Sequence, residues 1–266
     1  MSIRYIPDYP KLVSNATYGR FYEVEKGVFF PSVSTISSFG TPFSYGLLKY
    51  IIKQADGDYD KYLKQSSEAL DVGTLVHEYV DLLLKDEVVE IQSTFNGRSV
   101  PLDPQQRAVL SFLEFWKRYK PEVIAKEHLL YTTEKDKSGE YILPVCGRCD
   151  LVARIDGDIW MLDYKTSKSK VNPQYGVQLT LYAWLWNLTH DKDNQIDKLG
   201  VVHLKKDWKR LPTKPIQKYE YNQDLARSAY KIFTSFYESY ERDGMTPKTR
   251  EPLPKTFNLK EYLDEA

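Results

Sequence analysis

Two aspartates and a lysine, at the ends of two neighbouring apolar runs, are the residues of this chain best suited to chemistry. Asp150 follows Cys146-Gly147-Arg148-Cys149, and Asp163-Tyr164-Lys165 closes the run Ile159-Trp160-Met161-Leu162. Residues 141–155 and 158–165 are rich in branched and aromatic side chains and read as strands, with a turn at Asp156-Gly157-Asp158. Side chains alternate faces along a strand, so Asp163 and Lys165 point the same way, as do Arg148 and Asp150. Pairing across the turn would bring two carboxylates and an ammonium to one spot. Such carboxylates repel unless a cation joins them. Oxygen ligands suit Mg²⁺ or Mn²⁺ rather than zinc. A lysine beside such an ion can orient or deprotonate an attacking water, so the chemistry expected is metal-assisted hydrolysis of a phosphodiester. The plain alternative is a pair of strand-end charges with Lys165 as their salt-bridge partner.

The elements around this pair can be read from hydrophobic periodicity and turn signals. Residues 1–30 read as an irregular or hairpin stretch with alternation around Lys26-Gly27. Helices are expected over 41–55 and 58–85. Leu70, Leu75, Val76, Tyr79, Val80, Leu83 and Leu84 form the apolar face of the second. A connection with an Asn96-Gly97 turn follows. Asp103-Pro104 opens a helix to about Tyr119, because proline suits a first helical position. From there the order is β-β-β-α-β-β-α: strands near 122–133, 141–155 and 158–165, a helix over 174–188, strands near 198–205 and 215–221, and a helix over 222–242. The expected fold class is α/β, a central mixed sheet flanked by helices. The organisation expected is one domain over 1–266. It has a mainly helical part at 1–120 carrying His77, an αβ catalytic core at 121–245 and a proline-rich tail at 246–266.

The residues carry a resemblance. Gly147-Arg148-Cys149-Asp150, Asp163-Tyr164-Lys165-Thr166, Gln178 to Tyr182, and an upstream Gly73-Thr74 with His77 resemble four motifs of the RecB-like branch of the PD-(D/E)XK nuclease superfamily, in the same order. The resemblance implies a restriction-endonuclease-like core. It also implies metal ligation by Asp150, Asp163, the Tyr164 backbone carbonyl and His77, with Lys165 as the catalytic lysine. Gln178 and Tyr182, one turn apart, would position the substrate phosphate or the lysine; helix packing is their ordinary role. A lone mid-helix histidine is more often a packing or surface residue, and it is the Gly-Thr spacing that favours ligation by His77. Asp81, one turn on, is a candidate partner for its imidazole. Glu127 is a further candidate metal ligand, or an exposed strand charge. Arg148 is a candidate phosphate contact, and Lys168 belongs to a basic loop after the site. Phe30-Pro31-Ser32-Val33-Ser34-Thr35-Ile36 resembles the opening motif of the mitochondrial genome maintenance exonucleases and related phage and bacterial exonucleases. It reads equally as a helix start, and its Ser32, Ser34 and Thr35 hydroxyls are candidate phosphate contacts. These resemblances imply a Mg²⁺- or Mn²⁺-dependent DNA exonuclease acting on single strands or strand ends, alongside replication or recombination proteins. A structure-selective endonuclease, a subunit of a larger machine and a non-catalytic DNA-binding module are the other readings.

Composition narrows the classes. Lys+Arg and Asp+Glu are both 37 in 266 residues, so nucleic-acid affinity has to come from a local patch. The 21 tyrosines suit stacking on unpaired bases and serve equally as core-edge residues. Two cysteines are too few for the four-thiolate iron–sulfur cluster of some RecB-like nucleases. Cys146 and Cys149 lie three apart in an expected strand, which turns them to opposite faces as small packed residues. Cys149 also stands where the superfamily's eponymous motif has proline. No apolar run approaches the roughly 20 residues that span a bilayer, and the first residues lack a signal peptide's apolar stretch. A cytoplasmic location is the expectation.

Overall fold

The computed structural model describes residues 10–15, 19–39, 52–53, 58–85, 87, 89, 94–95, 98–99, 103–167, 172–206 and 215–241. The chain begins with a three-stranded antiparallel sheet of β1 (Lys11–Asn15), β2 (Gly19–Glu25) and β3 (Val28–Pro31). Its second turn falls at Lys26-Gly27, where the alternation places it. A short helix, α1 (Val33–Phe39), follows directly. Most of the helix expected over 41–55 lies outside the described residues, as do the Asn96-Gly97 turn and the tail at 246–266. The long helix α2 (Tyr59–Leu83) is capped by Asp58, whose carboxylate accepts from the Lys61 N–H at 3.0 Å. A minimal hairpin pairs β4 (Thr94–Phe95) with β5 (Arg98–Ser99). Helix α3 (Pro104–Tyr119) opens on a capping box between Asp103 and Gln106.

The remaining elements are β6 (Glu122–Leu130), β7 (Gly147–Ile155), β8 (Asp158–Lys165), α4 (Pro173–Thr189), β9 (Lys198–His203), β10 (Ile216–Tyr219) and α5 (Gln223–Glu241). They build a five-stranded sheet of order β10-β9-β8-β7-β6. Only β8 and β9 run parallel, and α4 makes the crossover that a parallel pair needs. The turn between β7 and β8 has left-handed backbone at Asp156 (φ 52°) and Gly157 (φ 89°), the geometry a two-residue hairpin favours.

Both faces of the sheet are covered, which explains why Ile159-Trp160-Met161-Leu162 is a continuous apolar run rather than an alternating one. Val152 and Met161 pack with Ile36, Val177, Leu181 and Phe233 of α1, α4 and α5. Leu151 and Leu162 pack on the other face with Val76, Val80, Phe112 and Phe115 of α2 and α3. This is the α/β, restriction-endonuclease-like arrangement expected.

Three expectations need correction. The strand expected from 141 starts only at Gly147. Pro144 has no N–H to give a ladder, and the Val145 N–H turns back to the Leu143 carbonyl at 2.8 Å. The strand expected over 122–133 ends at Leu130. Leu70, expected on the packed face of α2, is 69 % exposed and lines an open cleft instead.

Candidate active site

The ladder between β7 and β8 runs from Ile155↔Asp158 to Leu151↔Leu162 and stops there. One further step would pair Asp150 with Asp163. The strands part instead, and the Tyr164 N–H goes to the Asp150 carboxylate at 2.7 Å. Two acids side by side on paired strands would repel, and the parting relieves that crowding. A strand residue turns its N–H and C=O to the same neighbour. The Tyr164 carbonyl therefore faces Asp150 as well. The Tyr164 ring is buried beneath, edge-on to Phe112 (5.7 Å) and to His77 (5.8 Å).

Asp163 is 3 % exposed. Its carboxylate meets the Lys165 ammonium at 2.5 Å and accepts from Gln178 Nε2 at 3.1 Å. Gln178 also hydrogen-bonds the buried phenol of Tyr182. The Tyr182 ring lies so close to Gly147 that a Cβ there would come within 2.8 Å of it. The Gly147 and Tyr182 positions thus belong to one packing contact between β7 and α4. Burial pushes the Asp163 carboxyl up to about 6, against the pull of Lys165. Burial also works against the Lys165 charge, but Asp163 and Asp150 outweigh it, and the amine stays protonated above its ordinary range. Its ammonium sits 5.3 Å from the Tyr175 ring centre, and the Tyr175 hydroxyl bonds Ser167 at 2.9 Å.

His77 arrives from α2, held down on either side by the fully buried Val76 and Val80. Its Nδ1 is 3.8 Å from Asp150 Oδ1. Glu127 completes a trio: ligand atoms of His77, Glu127 and Asp150 all lie within 4.8 Å of one another. Glu127 has φ 44°, a left-handed backbone costly for a non-glycine residue and concentrated at functional sites. Burial, then the charge of Asp150, raises its carboxyl above the ordinary range. Two acids and an imidazole crowded in this way fit a divalent ion, whose charge would offset the repulsion of the carboxylates.

The trio and Lys165 line an open cleft of about 1110 Å³, together with Arg148 and, on the far wall, Leu70, Gly73 and Thr74 of α2. Arg148 donates to the Glu127 carbonyl at 2.8 Å. The structure does not bring every candidate to the cleft. Asp81 does line it, but is taken by Lys85 (2.5 Å) and Lys126 (3.6 Å) rather than by His77. Ser32 and Thr35 are buried, and the Ser32 hydroxyl meets those of Ser34 and Thr35 at 2.9 Å each. Lys168 lies outside the described residues. The cleft also gathers Arg20, Lys126, Ser167 and Lys206. Lys126 and Lys206 stand in charged stretches of the sequence, but Arg20 carries no local signal and reaches the cleft only through the packing of its sheet.

Cys146 and Cys149 are both buried, in separate apolar clusters, and burial pushes both thiols up to about 12. They are packing residues. Among the described residues no helix is long and apolar enough to cross a membrane.

No curated protein matches the chain. A family model does: the PD-(D/E)XK nuclease superfamily matches residues 32–251. That span contains every strand of the five-stranded sheet, both aspartates, Lys165 and His77, and this chain belongs to the PD-(D/E)XK nuclease superfamily.

Proposed function

We propose that this nuclease is a Mg²⁺- or Mn²⁺-dependent DNA exonuclease that works on single strands or strand ends in replication, repair or recombination. The observation that carries the hydrolytic reading is the meeting of Asp150, Asp163 and Lys165 with His77 and Glu127 at the parted ends of β7 and β8. His77, Glu127, Asp150, Asp163 and the Tyr164 carbonyl would hold one or two ions. A bound ion supplies Lewis-acid polarisation of the phosphate and a more acidic water. Lys165, held as an ammonium, steadies the attacking oxygen and offsets charge that develops on the phosphorane. Gln178 fixes the Asp163 carboxylate that aims Lys165, and Tyr182 fixes Gln178. Arg148 anchors a phosphate beside the acids, a role Lys168 shares. The exonuclease mode rests on the resemblance to RecB-like and mitochondrial genome maintenance exonucleases. An intact pair of aspartates with their lysine favours an enzyme over a DNA-binding module.

The test is digestion of end-labelled linear and covalently closed circular single-stranded DNA with Mg²⁺ or Mn²⁺. Linear DNA should shorten from an end and circles should survive. Cut circles would make the protein an endonuclease. A protein that cuts neither with either ion is not the enzyme proposed.

A further inference from the structure

The cations that line the cleft are not equally free. Lys165 is held by Asp163, while Lys85 and Lys126 are held by Asp81. Among the described residues, Arg20, Arg148 and Lys206 line the cleft without a carboxylate partner. Arg20 differs from the other two. It comes from β2, in the three-stranded sheet that lies ahead of the region matching the superfamily, which begins at Ser32. It is exposed, and Tyr22, two residues along the same strand and so on the same face, has a phenol within electrostatic reach of both Arg20 and Arg148.

The backbone of Arg20 is clamped from beneath. Its N–H donates to Thr35 Oγ1 at 2.9 Å, and its carbonyl accepts from that hydroxyl at 3.1 Å and from the Ser32 N–H at 2.8 Å. Ser32 Oγ in turn meets the Thr35 hydroxyl and accepts from the Thr35 N–H at 3.1 Å. The fit is close. A Cβ on Gly19, where φ is +94°, would come within 2.6 Å of Thr35 Oγ1. These hydroxyls are spent on Arg20 and on one another, and none lines the cleft.

We propose that Arg20 is a phosphate anchor for the nucleic-acid strand entering the cleft, and that Thr35 and Ser32 are positioning residues that hold it there rather than phosphate contacts themselves. This rests on the reading of the cleft as a DNA site. A guanidinium on a clamped strand loses less freedom on binding than one on a loose loop. With Arg148 it gives the strand two cations in the cleft that holds the acids, which contact phosphates without reading sequence.

The experiment is fluorescence anisotropy of a labelled thymidine oligonucleotide of roughly 12 nucleotides, within the range of single-strand site sizes, in EDTA over a series of NaCl concentrations. Arg20→Ala should bind several-fold more weakly, and the slope of log K against log salt should fall by about 0.7, the share of one phosphate contact on a single strand. Arg20→Lys should keep the slope. Thr35→Val should lower affinity and slope in the same direction, Thr35→Ser should stay near wild type, and the Arg20→Ala/Thr35→Val double variant should be no worse than Arg20→Ala alone. Melting temperatures identify a Thr35→Val protein that fails to fold, and the Arg20→Ala slope then decides. An unchanged slope in Arg20→Ala overturns the anchor, and additive losses in the double variant overturn the positioning role. If wild type binds no oligonucleotide, this proposal falls with the DNA reading; if wild type binds and Arg20→Ala matches it, only this proposal falls.

Discussion

The two halves of the candidate site are held in opposite ways. Asp163, Lys165, Gln178 and Tyr182 form a dry half, in which each polar group is tied to the next, Asp163 is 3 % exposed, and only the Lys165 side chain, 22 % exposed, reaches the cleft. His77, Glu127 and Asp150 form a wet half, with side-chain exposures of 32 % at His77 and 14 % at Asp150 and no direct bond shorter than 3.8 Å between that pair. The dry half is fixed by β8 and α4, which sit in the middle of the fold. The wet half is gathered from α2, the edge strand β6 and β7. Charge that acts on a transition state gains from a rigid, water-poor setting, whereas ligands that exchange ions and substrate need access to solvent. In the proposed reaction the two aspartates, which face each other one step beyond the end of the ladder, would thereby do different work.

The largest expected effect breaks the dry half. Lys165→Ala should lower turnover by about 10²–10⁴-fold, the range for a positioned group acting on the transition state, while oligonucleotide affinity changes little. It also strips Asp163 of its buried partner, so the variant should lose about 3–5 kcal/mol of stability at neutral pH. Added Mn²⁺ should restore part of that loss. Single-turnover kinetics, anisotropy and thermal melts check the three parts. A variant that loses affinity and keeps its turnover would make Lys165 a phosphate anchor and erase the contrast between the halves.

Next come the aspartates themselves. Asp150 belongs to the open trio, so Asp150→Asn should remove Mn²⁺ binding measurable by calorimetry. Asp163→Asn should weaken it by a smaller factor, about 10–100-fold, because the trio of His77, Glu127 and Asp150 remains. Equal losses would mean that both acids ligate alike. No change in Asp163→Asn would take Asp163 out of the ligand set.

A smaller effect is expected at His77. Imidazole favours Mn²⁺ over Mg²⁺ more than oxygen ligands do. His77→Ala should lower activity and narrow the Mn²⁺ preference, with the melting temperature little changed, since the helix is held by Val76 and Val80 rather than by the imidazole. Activity assayed with each ion in parallel gives the ratio. A ratio equal to that of wild type would assign His77 to packing against Tyr164.

Most of the dry half was legible in the sequence, because local rules place it. Strand alternation puts Asp163 and Lys165 together, the Asp156-Gly157 turn pairs β7 with β8, and helical spacing puts Gln178 and Tyr182 on one face. The wet half was legible only in part. The approach of His77 rested on a resemblance, since about seventy residues separate it from Asp150 and nothing local brings them together. The left-handed φ of Glu127 has no sequence signature, because glutamate does not favour it. Arg20 was not visible at all: it enters through the packing of a sheet on α1. Pro144 was a readable warning that the strand before Gly147 would break, yet the apolar run around it outweighed that signal.

The smallest effect concerns the thiols, and it sharpens the contrast by asking how far the dry region extends behind the site. Cys149 precedes Asp150, yet it is 1 % exposed and packs in the core, and burial pushes it and Cys146 up to about 12. The thiolate is the reactive form, so neither cysteine should react with a maleimide near pH 8 until the protein unfolds. The raised values also set a stability trend. Between pH 9 and about 12 the folded protein keeps protons that the unfolded chain has released, so stability should fall as pH rises through that window. Labelling followed by mass spectrometry, with and without denaturant, reads the first part, and melts at alkaline pH read the second. Rapid labelling of Cys149 in the native protein would mean that water reaches behind Asp150, and the dry region would then end at Asp163.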